Sequence, residues 1–274
     1  MAKSWFVTGA GRGLGLDIAR AALRAGDNVF ASSRTVNGLD ETLGPNSDHL
    51  QSAPLDVADQ RAAVRAARQA VERFGRIDVL VNNAAQAQLG WFETVEASEI
   101  RRNFEVNVFG AMNVARAVLP HMREERSGLL VTISSVAGLV ANKGGSVYSA
   151  TKFAIEGWIE GLAEEVAPLG IKSLVIEPGM MRTDLLDGRS MKLGSIGIAD
   201  YAEAMAQFRS FIEGSNHQQP NDPAKLAAVI VQLASLPMPP ERFVFGDDAL
   251  EWASAKVGRL RSDIEASRET AAQA

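Results

Sequence analysis

Trp5-Phe6-Val7-Thr8-Gly9-Ala10-Gly11-Arg12-Gly13-Leu14-Gly15 is the stretch on which the fold of this chain turns. Residues 5–8 read as a short apolar strand, the glycines follow at once, and a helix-like segment begins within them. Glycine lets the backbone turn tightly and approach a pyrophosphate, whose charge is met by amides and by the positive end of the helix. A flexible turn is the plain alternative for any glycine-rich loop. Its place after the first strand of a strand–helix pattern favours dinucleotide binding.

The same alternation continues outward from the loop. Short runs rich in β-branched residues recur at 29–32, 77–81, 129–134 and 172–176, separated by helix-like segments at 17–25, 60–74, 100–126 and 147–167. Right-handed βαβ crossovers then give a doubly wound, Rossmann-type α/β fold, a mostly parallel sheet with helices on both faces in a single domain. In such a sheet the ligand crevice lies beyond the carboxyl ends of the strands. Residues 182–219 carry Gly188, Gly194, Gly197 and Gly214 among apolar residues, without strong strand character, and read as a substrate lid. Asp222-Pro223 marks a helix start, and 242–245 a late strand. A C-terminal helical extension at 247–270 carries Leu250, Ala253, Val257, Leu260 and Ile264 at intervals of three and four. That stripe needs a packing partner. The ordinary reading is the chain's own body, and a dimer contact is the alternative.

Of the 274 residues, 46% are hydrophobic and 22% charged, enough apolar material for a substantial core. The net charge of −5 supplies no positive field for nucleic acid or an anionic membrane, so a small-molecule partner is expected. There is no cysteine, hence no disulfide or thiolate nucleophile, and His49, His121 and His217 are scattered, so no metal is expected. No apolar run is long enough to span a bilayer, and the N-terminus lacks signal-peptide character, so a cytoplasmic location is expected by default.

The spacing Gly9, three residues, Gly13, one residue, Gly15 resembles the TGxxxGxG loop of the short-chain dehydrogenase/reductase family. Further matches follow in the family's order through residue 184: Asp56-Val57 beside the adenine, Asn82-Asn83-Ala84-Ala85 resembling NNAG with alanine for the last glycine, Asn107 in VNVFG, and Ser135 closing TISS. Tyr148 and Lys152 form YSATK, and Pro178-Gly179 with Thr183 resembles PGxxxT. The resemblance implies an oxidoreductase that interconverts a carbonyl and an alcohol by hydride transfer, with Asn107, Ser135, Tyr148 and Lys152 as catalytic residues. It also implies cofactor contacts from Gly9, Arg12, Gly13, Leu14, Gly15, Asp56, Val57, Asn83, Ala84, Tyr148, Lys152, Pro178, Gly179 and Thr183. Homodimers or homotetramers that pair through the helices near 100–126 and 147–167 are common in the family.

Lys152 follows Tyr148 by four residues, so both project from one helix face. An unperturbed tyrosine, pKa about 10, is protonated at neutral pH, and a nearby ammonium together with an oxidised nicotinamide lowers that value. The family assigns Tyr148 as acid or base, Ser135 to the substrate oxygen, and Asn107 to a water linking Lys152 with solvent. Ser134 competes with Ser135, but Ser135 has the family's spacing, thirteen residues before the tyrosine. A serine hydrolase is excluded for want of a GxSxG elbow and a histidine partner. Lys172 and Glu177 have an ordinary explanation as a solvated edge or an ion pair.

Cofactor choice rests on the residues after the second strand, where NAD-preferring relatives place an acidic residue. Here Ser33 stands there, followed by Arg34, with Arg12 available in the glycine loop. A hydroxyl and two guanidinium groups suit a 2′-phosphate and imply NADP(H). Met180, Met181, Leu185, Leu186, Met191, Leu193, Met205 and Phe208 imply an apolar pocket for a small to medium substrate. A protein that senses NADP(H) without turnover is the alternative, against which the complete Ser135, Tyr148 and Lys152 set argues.

Overall fold

The computed structural model describes residues 2–36, 39–188 and 190–273, so position 189 of the expected lid lies outside the described residues. In chain order the elements are β1 (Ser4–Thr8), α1 (Gly13–Arg24), β2 (Asn28–Ser33), α2 (Leu39–Leu43), β3 (Leu50–Pro54), α3 (Gln60–Phe74), β4 (Val79–Asn82) and β5 (Ala87–Leu89). They continue with α4 (Ala97–Phe104), α5 (Gly110–Glu124), β6 (Gly128–Ile133), α6 (Ser146–Val166), β7 (Ile171–Pro178) and β8 (Met191–Leu193). Last come α7 (Ala202–Ser215), α8 (Pro223–Ser235), β9 (Arg242–Phe245) and α9 (Asp247–Ala272).

Seven strands form one parallel sheet in the order β3-β2-β1-β4-β6-β7-β9. The chain winds outward from β1 to β3, then returns to β4 on the other side, which leaves a crevice where β1 and β4 diverge. Side-chain alternation divides the core. Trp5, Val7, Val29, Val81, Val131 and Ile176 face α1 and α8, while Phe6, Phe30, Leu80, Leu130 and Val175 face α3, α5 and α6. Both faces of the sheet are therefore apolar, as helices covering a parallel sheet require. Phe6 and Phe30 meet edge to face across neighbouring strands, with centroids 5.0 Å apart.

Local signals account for several boundaries. Asp59 caps α3 by accepting bonds from the amides of Arg61 and Ala62, and Gly75 ends it at φ 79°. The carboxylate of Asp222 accepts from the Ala224 amide, with Pro223 at the first helical position, as the sequence leads one to expect.

Four elements depart from the sequence-based expectations. β3 is absent from them, because the segment Leu-Gln-Ser-Ala-Pro has little β-branched character and owes its strand to pairing with β2. The helix expected at 100–126 is α4, a π-helical stretch at Glu105–Phe109, and α5. The expected lid is not strandless: β8 pairs in parallel with β5, and α7 follows. Finally, α9 does not pack on its own subunit along its length. Ala249 is buried, Trp252, Ala253 and Lys256 are half-buried, and every described residue from Val257 onward is exposed. No described helix is long and apolar enough to cross a membrane.

Candidate active site

The strand ends open into a cleft of about 1490 Å³ lined by the glycine loop, the segments after β2, β4, β6 and β7, and residues of α6, α7 and α9. Gly9 and Gly13 adopt positive φ, 67° and 54°. A Cβ on Gly15 would stand 2.4 Å from both the Gly9 carbonyl oxygen and Asn83 Nδ2, so only glycine permits this approach of helix start to loop. Asn83 fixes the loop from the next strand, its Nδ2 donating to the carbonyls of Thr8 (2.9 Å) and Gly9 (3.3 Å). The amides of Asn83 and Ala84 both donate to Thr8 Oγ1, at 3.0 and 3.1 Å. Ala85, in place of the family's glycine, is not among the described residues of positive φ, so the exchange brings no backbone strain.

Ser33, Arg34, Asp56 and Val57 line the adjoining end of the cleft with Leu14. Arg34 is exposed, while the Ser33 hydroxyl donates to the Thr35 carbonyl. Asp56 accepts from the Ala58 amide and pairs with Arg102 at 3.3 Å. Arg12, expected to join Ser33 and Arg34 at a 2′-phosphate, has a partner within the protein. Its Nη2 donates to Ser190 Oγ at 2.6 Å, which ties the glycine loop to the segment after β7.

At the other end, Pro178, Gly179 and Thr183 line the cleft. A Cβ on Gly13 would sit 3.3 Å from Thr183 Cβ, which places this segment directly over the loop. Asp248, at the start of α9, holds the turn: Oδ2 accepts from the Met180 amide at 2.7 Å and Oδ1 from Asn221 Nδ2 at 2.8 Å. A Cβ on Gly179 would meet Asp248 Oδ1 at 2.2 Å. Nothing in the sequence pattern singled out Asp248 or Asn221.

Tyr148, Ser135 and Lys152 come together on the floor. Ser135 lies just past β6 in extended backbone, its Oγ accepting from the Ala137 amide at 3.1 Å. Burial pushes the Tyr148 hydroxyl up to about 12, and the hydrogen bond with Ser135 works against that rise. Ser134 instead turns inward, buried, with its hydroxyl unpartnered. Lys152 Nζ donates to the Ile133 carbonyl at 2.9 Å and lies 5.7 Å from the Tyr148 ring centre. Burial pushes the ammonium down to about 8, opposed by the nearby Glu156 carboxylate. The direction at Tyr148 is therefore opposite to the one expected from a neighbouring ammonium, because desolvation outweighs the Ser135 hydrogen bond.

Asn107 sits within the π-helical stretch, a local widening found mostly at functional sites. Its Nδ2 donates to the Gln86 carbonyl (2.9 Å) and Thr151 Oγ1 (3.0 Å), and its Oδ1 accepts from the Gln86 amide (2.9 Å). The side chain is thus occupied in joining the segment after β4 to α6, one residue before Lys152. Gln86 and Thr151 are partners that sequence reasoning missed.

Behind Lys152 lies a charged cluster the sequence also concealed. Glu177 is 1% exposed, not at a solvated edge. Arg242 Nη1 bonds Glu156 Oε2 at 2.5 Å and Glu177 Oε1 at 2.7 Å, and its Nη2 reaches Glu160 at 2.7 Å. Burial, then the neighbouring Glu156 charge, raise Glu177 to about 7.

Leu185, Leu186, Leu193, Phe208 and Ile212 pack with Tyr148 in one apolar cluster, whereas Met191, Leu193 and Met205, expected in the pocket, do not line the cleft. His217 stands near two carboxylates that the sequence reading did not connect with it: with Asp184 and Asp187 it offers ligand atoms within 4.8 Å of one another. Asp187 is already engaged by His217 at 3.2 Å and Asn216 at 2.7 Å.

A parallel sheet with a glycine loop at its switch point, facing a tyrosine–lysine pair, defines a nucleotide-binding α/β oxidoreductase. The family model described as short chain dehydrogenase matches residues 3–193, and the chain belongs to that family. Oxidoreductase BOA17 of Botryotinia fuckeliana (strain B05.10) is 35% identical over 270 residues, covering 98% of each chain. A short-chain dehydrogenase structure from Streptomyces avermitilis superposes with a TM-score of 0.89 at 40% identity, covering 100% of this chain and 99% of that one. A gluconate 5-dehydrogenase from Burkholderia cenocepacia J2315, in complex with NADP and tartrate, shares 30% identity at a TM-score of 0.64 over 68% of this chain and 74% of its own.

Proposed function

We propose that the protein is an NADP(H)-dependent reductase or dehydrogenase interconverting a carbonyl and an alcohol on a small to medium apolar substrate, with Tyr148 as acid or base. The observation that carries this is the meeting of Tyr148, Ser135 and Lys152 in the same cleft as the glycine loop. The residues present fit a dinucleotide: Gly15 leaves no room for a Cβ where loop and helix meet, and Ser33 and Arg34 offer a hydroxyl and a cation without a carboxylate. The NADP in the Burkholderia relative points the same way.

When bound, the cofactor supplies hydride to the carbonyl carbon or accepts it from the alcohol. In the reductive direction Tyr148 gives its hydroxyl proton to the carbonyl oxygen, and Ser135 donates a hydrogen bond to that oxygen. Lys152 stabilises the resulting tyrosinate, and Asn107 holds α6 in register through Thr151. Gly9, Gly13, Leu14 and Gly15 hold the pyrophosphate side, Arg12 with Ser33 and Arg34 the 2′-phosphate, Asp56 and Val57 the adenine, and Asn83, Ala84, Pro178, Gly179 and Thr183 the nicotinamide side. The segment 182–219 closes over Tyr148 as an apolar lid that excludes water.

The test is NADPH oxidation with a panel of aldehydes, ketones, quinones and 3-oxoacyl compounds. Turnover is expected to rise with apolar bulk. Tyr148→Phe is expected to abolish it while NADPH affinity is kept, because the change removes the proton donor and little volume. Cofactor binding without turnover anywhere in the panel overturns the catalytic reading in favour of a sensor.

A further inference from the structure

Helix α9 leaves the body of the protein. Its first turns are anchored by Ala249, Trp252 and Asp248, but from Val257 to its end the helix runs free for roughly 24 Å at 1.5 Å per residue. A free helix of this length is marginal in water without a packed face. It nevertheless carries one: Leu250, Ala253, Val257, Leu260, Ile264 and Ser267 repeat at intervals of three and four, the pattern of a two-helix seam. Leu250 is 51% exposed, Val257 66%, Leu260 46% and Ile264 54%.

The charges beside this seam select the occupant. Asp247, Lys256, Asp263 and Arg268 flank it, and none has an ion-pair partner among the described residues. We propose that α9 pairs antiparallel with α9 of a second copy of this chain. Setting Val257 opposite the partner's Leu260 also sets Ala253 opposite the partner's Ile264 and Leu250 opposite the partner's Ser267. In that register Lys256 faces the partner's Asp263, Arg268 faces the partner's Asp247, and Arg261 faces the partner's Ser254. Two-fold symmetry repeats each attraction, and no like charges meet across the seam. The parallel in-register arrangement puts Lys256 against the partner's Arg261, a repulsion. The chain therefore complements itself in one orientation. This interface is separate from the helices near 100–126 and 147–167 and does not depend on the assigned reaction.

Sedimentation equilibrium on the full chain tests the surface. Leu260→Glu is expected to raise the dissociation constant of this contact about a hundredfold, by placing a charge in an apolar seam, and to halve the assembled mass at micromolar concentration. Lys256→Glu should weaken association about tenfold, and Lys256→Glu with Asp263→Lys should restore it, since exchanging the two charges regenerates the pair. Because the chain has no native cysteine, introduced thiols report directly on geometry. Oxidising a mixture of Leu250→Cys and Ser267→Cys proteins should give the mixed disulfide as the main product. Circular dichroism checks that each variant stays folded. A monomeric wild type, unchanged assembly in Leu260→Glu, failure of the charge exchange to restore association, or a predominance of disulfides between like variants would overturn the proposal.

Discussion

Replacing Arg242 by methionine isolates the electrostatics behind the floor of the cleft. The change keeps much of the side-chain length but removes the one cation that, among the described residues, forms ion pairs with Glu156 and Glu177, which are 6% and 1% exposed. Breaking a buried ion pair by removing one partner costs about 3–5 kcal/mol, because the remaining charge is left uncompensated. For a chain of this size that corresponds to a fall in melting temperature of about 10 °C. The pH dependence carries the sharper information. Glu177 is raised to about 7 even with Arg242 present. A carboxyl raised above its unfolded value favours the fold fully below that unfolded value, near 4.5, and loses that contribution as pH climbs through the folded value. Without the guanidinium the Glu177 carboxyl rises further, so the variant should be least impaired at pH 5, where a proton replaces the missing cation, and most impaired at pH 8. Thermal melts from pH 5 to 8 followed by tryptophan fluorescence read this directly. A deficit of equal size at both ends, or one below about 1 kcal/mol at pH 8, would refute the account of a buried pair held by Arg242.

Arg34→Ala is expected to weaken NADPH about ten- to hundredfold, the loss of a charge-assisted hydrogen bond, and to leave NADH nearly unaffected, which titration calorimetry with the two cofactors will show. Gly15→Ala should abolish cofactor binding, since its Cβ would stand 2.4 Å from the Gly9 carbonyl oxygen; retained affinity in a fluorescence titration would contradict the close approach. Because burial lowers Lys152 to about 8 and holds Tyr148 near 12, reduction should slow as pH rises through about 8, where Lys152 loses its proton. A reduction rate that stays flat to pH 10 would remove Lys152 from proton transfer.

Features encoded in short local patterns were legible in the sequence. The glycine loop, the alternation of strands and helices, the Asp222-Pro223 helix start and the four-residue step from Tyr148 to Lys152 each depend on neighbouring residues alone. Features that depend on partners far along the chain were not. β3 pairs with β2 despite weak propensity, and β5 finds β8 about a hundred residues later. Glu177 looks like an edge residue until β9 brings Arg242 alongside it. Arg12 lies in a motif that predicts phosphate contact, yet its bond to Ser190 depends on the fold of the segment after β7. The exposed stripe of α9 was visible, but where it packs was not, because periodicity reports an apolar face and not what covers it.

The bonds from Asn83 and Ala84 to Thr8 and Gly9 bear on when the glycine loop acquires its shape. They join the ends of β1 and β4, adjacent strands at the centre of the sheet, so the turn is ordered as the sheet assembles. The entropy of fixing those glycines is then settled during folding and does not recur each time a nucleotide arrives. In native-state hydrogen exchange, the Asn83 and Ala84 amides should accordingly open with the global unfolding of the domain, as core strands do, and not with the fluctuations of a surface turn.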